Sequence, residues 1–169
     1  MNSMAAAGPS YRPLYRFLAI EPDADHLTLR KCYAAFCVGG DGFYRDWWEF
    51  ARDVRRGHVV PFVIEHGNKE TEFGIELMLH PQTGGPVFSV LYYTGELNGD
   101  LFSELVWFLY ESMQNHKLAM HTQKHGFLRV IGRKGWARLI RRIGVEIDAD
   151  GYISEDQPAI RYGRMKHLN

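Results

Sequence analysis

The chain has 169 residues, of which 46% are hydrophobic and 24% charged, a composition typical of one compact domain with its own core. Its 20 basic residues balance 20 acidic ones, so a chain-wide attraction to nucleic acid or to an anionic membrane is excluded and any such binding must come from a local patch. No segment approaches the roughly 20 continuous apolar residues that cross a bilayer, which predicts a soluble, cytoplasmic protein with no membrane partner.

The two cysteines, Cys32 and Cys37, lie in the amphipathic segment "LRKCYAAFC". A disulfide between them would distort a helix, so we expect free thiols and a reducing compartment. Residues 1–14 have no strong pattern and are predicted to form an N-terminal arm, and residues 15–169 to form a single domain.

The first part of the domain is predicted to contain a strand and two helices. "YRFLAI" reads as a strand that Pro22 ends, and Asp23 or Asp25 can cap the helix that follows. A second helix is predicted from apolar residues at helical spacing, namely Phe43, Trp47, Phe50, Ala51 and Val54. Its motif "DWWEF" directs Trp47 to the core and Trp48 to the outside, and an exposed tryptophan suggests a partner surface.

Three strands are predicted next, "VVPFVIEHG", "ETEFGIELMLH" and "VFSVLYYTG", joined by turns at "NK" and "PQTGGP". Together they form an antiparallel meander. Its glutamates, Glu65, Glu72 and Glu76, include one candidate general base, Glu76, although exposed strand faces commonly carry glutamate to resist aggregation.

The second half begins with a long helix from Asp100 to about His116, and a short strand "FLRVI" follows. An amphipathic helix then leads into predicted strands at "GVEIDADGYI" and "AIRYGRM".

Three histidines, His116, His121 and His125, lie between the long helix and "FLRVI". We expect no metal site there, because no acid or cysteine lies nearby in the sequence and the helix has ended.

The amphipathic helix has one apolar stripe, formed by Trp136, Leu139, Ile140 and Ile143, which is predicted to face the core. Basic residues on the other side, together with two that precede the helix, form a candidate basic patch: Arg129, Arg133, Lys134, Arg138, Arg141 and Arg142. The patch could bind the phosphates of a nucleic acid. The simpler interpretation is a solvated face, since the interleaved aromatics of a single-strand groove are absent.

The order of these elements resembles the fold of the GNAT family of N-acetyltransferases over roughly residues 15–160. The family's last helix follows the pattern Asn-x-x-Ala-x-x-x-Tyr-x-x-x-Gly-Phe, onto which "RKGWARLIRRIGV" aligns with Gly144 and Val145 at its end. The resemblance implies a single α/β (α+β) domain with a mixed, mainly antiparallel sheet flanked by about four helices. The "GRxGW" motif also resembles small GNAT-like proteins of tailed bacteriophages, which implies a phage origin and a place in the host cytoplasm or the virion.

The resemblance implies that acetyl-CoA would bind at the turn between the fourth strand and the long helix. In the family this turn is glycine-rich, so that backbone N–H groups and the helix dipole hold the diphosphate. The corresponding candidates here are Gly95, Asn98, Gly99 and Asp100. The acidic Glu96 and Asp100 depart from the family pattern and would repel phosphate.

The family also uses a tyrosine late in the last helix as the acid that protonates the departing thiolate. Ile140 stands at that position, and Arg133 stands at the asparagine position. Tyr93 or Tyr110 are the candidate replacements. We therefore expect acetyl-CoA as a cofactor only if the protein is active, and we assign no other cofactor.

Two functions from different classes follow. The departures favour a GNAT-like protein that has lost acetyl transfer and binds a protein partner through the arm, Trp48 or the basic patch. The alternative is an acyl-CoA-dependent N-acyltransferase that acts on an amine.

Overall fold

The computed structural model describes residues 15–40, 46–96, 99–130 and 136–157. Its helices and strands, in chain order, are β1 (Arg16–Ala19), α1 (His26–Gly39), α2 (Trp47–Arg55), β2 (Val59–His66), β3 (Lys69–Leu79), β4 (Pro86–Tyr93), α3 (Gly99–Ala119), β5 (Phe127–Val130), α4 (Trp136–Arg142) and β6 (Tyr152–Ser154).

The six strands form one sheet in the order of the chain, from β1 to β6. Neighbouring strands are antiparallel except for β4 and β5, which are parallel and are joined by the long helix α3. The described residues therefore form one α+β domain with a mixed, mainly antiparallel sheet and four helices, as predicted. The predicted succession of meander, long helix, parallel strand and amphipathic helix is present.

Helices cover both faces of the sheet, and each face has its own core. Helices α1 and α2 pack on one face around Phe36, Phe50 and Tyr92. Helices α3 and α4 pack on the other face, where Leu105, Leu109 and Met113 of α3 and Ile140 of α4 meet buried residues of β2 to β6. Apolar residues at every second strand position supply each core, as expected for strands buried on both sides.

Both N-terminal helices begin at an aspartate cap. Asp25 Oδ1 accepts a hydrogen bond from the Thr28 N–H at 2.7 Å, and Asp46 Oδ1 accepts one from the Glu49 N–H at 2.8 Å. Of the two caps considered for α1, Asp25 is therefore the one used. The α2 cap directs Trp47 into the core and leaves Trp48 77% exposed, which confirms the prediction for this pair.

A β-bulge interrupts β4. Gly74 of β3 pairs with Tyr92, whereas the next residue, Ile75, pairs with Val90, so β4 carries one extra residue there. Tyr92 faces α1 and α2, and Tyr93 faces α3 and α4. The two consecutive tyrosines are buried on opposite faces of the sheet, as alternation along a strand requires.

Two predicted elements have other bounds in the structure. The segment 144–151 is not a strand, because Gly144, with φ 81°, ends α4 and the chain enters a loop before β6 begins at Tyr152. Helix α3 extends to Ala119, beyond the predicted His116. The arm 1–14 and the segment "AIRYGRM" lie outside the described residues.

Within the described part of the chain, no helix has the length and apolar character that a membrane span requires.

Candidate functional site

The candidate site lies where β4 extends past its parallel neighbour. The pairing of β4 with β5 runs from Val87–Phe127 to Val90–Val130, whereas β4 continues to Tyr93. The turn that follows leads directly into α3. This edge therefore combines the carboxyl end of a strand with the start of a helix, an arrangement that commonly holds ligands in sheets with parallel strands.

Aromatic rings fill this edge on the α3 side. Trp136, the first residue of α4, is 3% exposed and packs edge-on against Tyr93 and Phe102, with ring centroids 5.5 and 5.3 Å apart, respectively. The indole Nε1–H is buried and has no acceptor among the described residues. Tyr93 is also 3% exposed, and its hydroxyl donates to the Glu96 carbonyl at 2.9 Å.

The turn after β4 is closely packed. A Cβ on Gly95 would lie 2.6 Å from both Thr71 Cγ2 and the Tyr93 hydroxyl, so glycine at this position lets the turn pack on its own neighbours. The turn therefore has no room for a side chain at position 95. Asn98 lies outside the described residues, and Gly99 is the first residue of α3.

The electrostatic environment at the start of α3 is acidic. Asp100 is exposed in the first turn of the helix. Burial raises the pKa of the Tyr15 phenol beside β1, and the carboxylates of Asp100 and Glu104 raise it further. At about 4 Å each carboxylate repels a phosphate charge by about 1 kcal/mol even in bulk water. The charge of Asp100 at the start of the helix therefore does not suit a coenzyme A diphosphate.

A groove opens on the opposite face, between α1 and the ends of β3 and β4. It has a volume of about 480 Å³ and is lined by Lys31, Ala34, Ala35, Val38, Glu72 and Thr94. Burial raises the pKa of the Glu72 carboxyl, and the Glu70 carboxylate raises it further against the opposing charge of Lys31. The groove thus offers an apolar wall, one carboxyl group and one ammonium group.

The other catalytic candidates do not converge on this edge. Glu76 pairs with Val59 and Ser89, so it lies on the α1 and α2 face, whereas Tyr93 lies on the α3 face and four positions farther along β4. Tyr110 stacks on Trp107 in the middle of α3, about 16 Å from the start of that helix at 1.5 Å per residue. These three residues therefore do not bring a base and an acid together at one point.

The predicted basic patch is only partly assembled. Arg138, Arg141 and Arg142 are exposed on α4, while Trp136 and Ile140 are buried, as the predicted stripe requires. Arg129 points away from this helix, because its neighbours Leu128 and Val130 belong to the α3 and α4 core. Its guanidinium lies 4.9 Å from the Tyr152 ring centroid, and its Nε–H donates to the Asp150 carbonyl. Arg133 and Lys134 lie outside the described residues.

Sequence reasoning missed one polar cluster at the other end of β5. His125 lies beside Glu155 and Asp156, about 30 positions farther along the chain. No acid lies near this histidine in the sequence. In the structure the antiparallel pairing of β5 with β6 brings the three residues together, so the expectation that no acid lies nearby was wrong. The only sequence signal was the "SED" motif directly after the predicted strand "GVEIDADGYI".

Comparison with known proteins gives a likeness of fold. A solved structure described as a probable acetyltransferase superimposes with a TM-score of 0.46 at 11% sequence identity, covering 79% of this chain and 91% of that chain. No protein-family model and no curated protein sequence matches the chain. The likeness concerns the backbone alone, so the chemistry of the site depends on the residues described above.

Proposed function

We propose that this chain is a GNAT-like protein that does not transfer acyl groups and instead binds a protein partner. The observation that carries the proposal is the position of Trp136, which is buried against Tyr93 and Phe102 where β4 passes the end of β5. A ligand group that entered between β4 and α4 at this point would have to displace these rings. Removing a packed aromatic ring of this size costs about 3–5 kcal/mol.

Charge supports the same conclusion. An acetyl-CoA site requires N–H donors and positive potential for the diphosphate, whereas the first turn of α3 carries the negative charge of Asp100. Tyr93, the candidate acid, already donates its proton to the Glu96 carbonyl and is buried away from any amine in solvent. A general acid must reach the leaving group at hydrogen-bond distance.

The surface supports a role in binding. Trp48 is 77% exposed on α2, and large aromatic side chains are enriched at the energetic centres of protein interfaces. Arg138, Arg141 and Arg142 add a positively charged helix face that suits an acidic partner. A bacteriophage origin, which the "GRxGW" motif suggests, stays a prediction.

Two observations favour the alternative of an acyl-CoA-dependent N-acyltransferase. The Trp136 Nε1–H is a buried donor with no acceptor in the described ranges, and a ligand carbonyl could supply one. The groove beside Glu72 could admit an amine, with the carboxylate as its base.

Calorimetric titration with acetyl-CoA distinguishes the two functions. We expect no heat of binding at 25 °C. Binding tighter than about 100 μM, or about 5.5 kcal/mol, would overturn the proposal, and weaker binding by a Trp136→Phe variant would then identify the indole N–H as a ligand group.

Partner binding is tested with a matched pair of surface variants, Trp48→Ser and Leu118→Ser, since Leu118 is 74% exposed on another helix. We expect a partner recovered by cross-linking to be lost from the Trp48→Ser variant and retained by Leu118→Ser. Equal recovery by both variants would exclude Trp48 as the contact.

A further inference from the structure

The polar cluster at the amino end of β5 brings together three metal-binding side chains. The Glu155 N–H donates to the Gly126 carbonyl at 3.1 Å and so extends the β5–β6 pairing beyond Ser154. This places His125 Nδ1 3.4 Å from Asp156 Oδ2 and 3.7 Å from Glu155 Oε1. One donor atom from each of the three side chains lies within 4.8 Å of the other two.

These separations match the dimensions of a metal site. Zinc binds imidazole nitrogen and carboxylate oxygen at about 2.0–2.2 Å, and the edge of a tetrahedron with such bonds is about 3.4 Å. The distances of 3.4 and 3.7 Å from His125 Nδ1 to the two carboxylates are close to that value. The carboxylates of Glu155 and Asp156 lie within 4.8 Å of each other, so an ion between the three donors would draw them together by at most about 1.4 Å.

Neighbouring residues hold the carboxylate of Glu155 in place. Lys117 Nζ donates to Oε1 at 2.7 Å and to Oε2 at 2.9 Å, and Gln114 Nε2 donates to Oε2 at 2.9 Å. Oε1 therefore keeps one lone pair on the side of His125, since a carboxylate oxygen accepts two hydrogen bonds. Ligating carboxylates are commonly fixed by such outer hydrogen bonds.

Ser154 fixes the imidazole in the same way. Its Oγ lies 2.7 Å from His125 Nε2 and also accepts the Asp156 N–H at 3.3 Å. When Nε2 carries the proton and donates to this hydroxyl, the Nδ1 lone pair faces the two carboxylates. That arrangement is repulsive unless a cation lies between them, and metal-binding histidines commonly donate their second ring N–H to an outer partner.

Charge and access are compatible with a dication. Glu155 and Asp156 carry two negative charges and Lys117 one positive charge, which leaves the cluster with a net charge of about −1. The Asp156 side chain is 62% exposed and that of His125 34%, so an ion can enter from solvent. Lys117 lies on the inner side of Glu155, where its side chain is 12% exposed.

We propose that His125, Glu155 and Asp156 bind a divalent transition-metal ion, with Zn²⁺ as the ion that best suits one imidazole and two carboxylates. Three protein ligands leave a fourth tetrahedral position for water. Lys117, Gln114 and Ser154 are positioning residues that hold the ligands. The proposal is independent of the function proposed above, since the cluster lies at the opposite end of β5.

The test is a calorimetric titration of the full chain with ZnCl₂ after treatment with a chelator. We expect one ion per chain, and at least a tenfold weaker affinity in the Asp156→Asn variant. Asp156 is exposed, so this variant should fold normally. The matched control is His121→Ala, because His121 is exposed in the same connector and is not a proposed ligand.

A second measurement keeps the test decisive. Co²⁺ should give the visible absorption of a tetrahedral site in the native chain and in His121→Ala, and this absorption should be lost in His125→Ala. Absence of binding, or binding that Asp156→Asn and His125→Ala leave unchanged, would overturn the proposal. In that case the cluster is a hydrogen-bond network in which the Nδ1 proton bridges to Asp156.

Discussion

Trp136 stands edge-on against Tyr93, with an interplanar angle of 84° and 5.5 Å between the ring centroids. The two residues come from different elements, and their contact joins the first residue of α4 to the last residue of β4. Aromatic pairs in this geometry contribute about 0.5–1.5 kcal/mol beyond the area they bury. The contact that closes this edge thus also stabilises the fold.

Trp136 should therefore be a major contributor to stability. We expect Trp136→Ala to lower the free energy of unfolding by about 3–5 kcal/mol, because it leaves a cavity between Tyr93 and Phe102. Trp136→Phe should cost much less, since it keeps a ring and removes the unpaired N–H. Urea unfolding at 25 °C measures both, with Trp48→Ala as the exposed control. A cost below about 1 kcal/mol for Trp136→Ala would contradict the described packing.

Glu155 should make the stability of the protein dependent on pH. Burial raises the pKa of its carboxyl, but the hydrogen bonds from Lys117 and Gln114 and the charge of Lys117 outweigh burial and hold the pKa below its ordinary value. A carboxyl with a lowered folded-state pKa stabilises the protein above its unfolded-state pKa, near 4.3, and loses this effect as pH falls through the folded-state value.

At pH 7 we expect Glu155→Gln to cost about 1–3 kcal/mol, because the partly buried Lys117 loses its charged partner. The difference between native and variant should shrink as pH falls below about 4. Urea unfolding between pH 3 and 7, with a chelator present, measures this difference, and Asp156→Asn is the exposed control. A difference that stays constant over this range would show that the ionised carboxylate is not the stabilising form.

Gly74 should not tolerate a side chain. A Cβ there would overlap the ring of Tyr92, which crosses β3 at this point and is 2% exposed. We expect Gly74→Ala to cost about 1–3 kcal/mol through overpacking. In a Tyr92→Leu background the cost should fall, since the shorter side chain leaves the space open, and a double-mutant cycle by urea unfolding measures the coupling. Additive effects would mean that the two residues do not compete for space.

We expect the arginines of α4 to be solvated and not to bind nucleic acid. Replacing Arg138, Arg141 and Arg142 together with glutamine should leave the free energy of unfolding nearly unchanged, because exposed charges contribute little. At about 150 mM salt we expect neither protein to retain labelled single-stranded DNA in a filter-binding assay. Retention by the native chain that the triple variant loses would establish a nucleic-acid patch.

Local patterns in the sequence predicted most of the fold. The helical spacing around Trp47 and Trp48 assigned the buried and the exposed ring correctly, because periodicity within one helix depends only on neighbouring residues. The predicted strand at "GVEI" is wrong, because the segment forms a turn. Val145 is buried and Ile147 half-buried, so the segment alternates like a strand, but Asp148 Oδ1 accepts the N–H groups of Asp150 and Tyr152 and closes a turn instead.

The sites were harder to predict than the elements. The negative charges of Glu96 and Asp100 are visible in the sequence, and both residues are exposed in the structure. The insertion of Trp136 beside Tyr93 was not predicted, since it depends on how α4 packs on the sheet. The cluster around His125 depends on the register of β5 against β6, which pairs residues that are far apart in the chain.

The order of the sheet has a consequence for how the chain folds. Strands β2, β3 and β4 are joined by short turns, so their pairing requires only small loops to close. By contrast, Arg16 pairs with Glu65 and Val87 with Phe127, so β1 and β5 can join only after long stretches of chain have been brought together. Long-range pairing slows folding. We therefore expect the central meander to form the folding nucleus, and the outer strands to dock afterwards on each side of it.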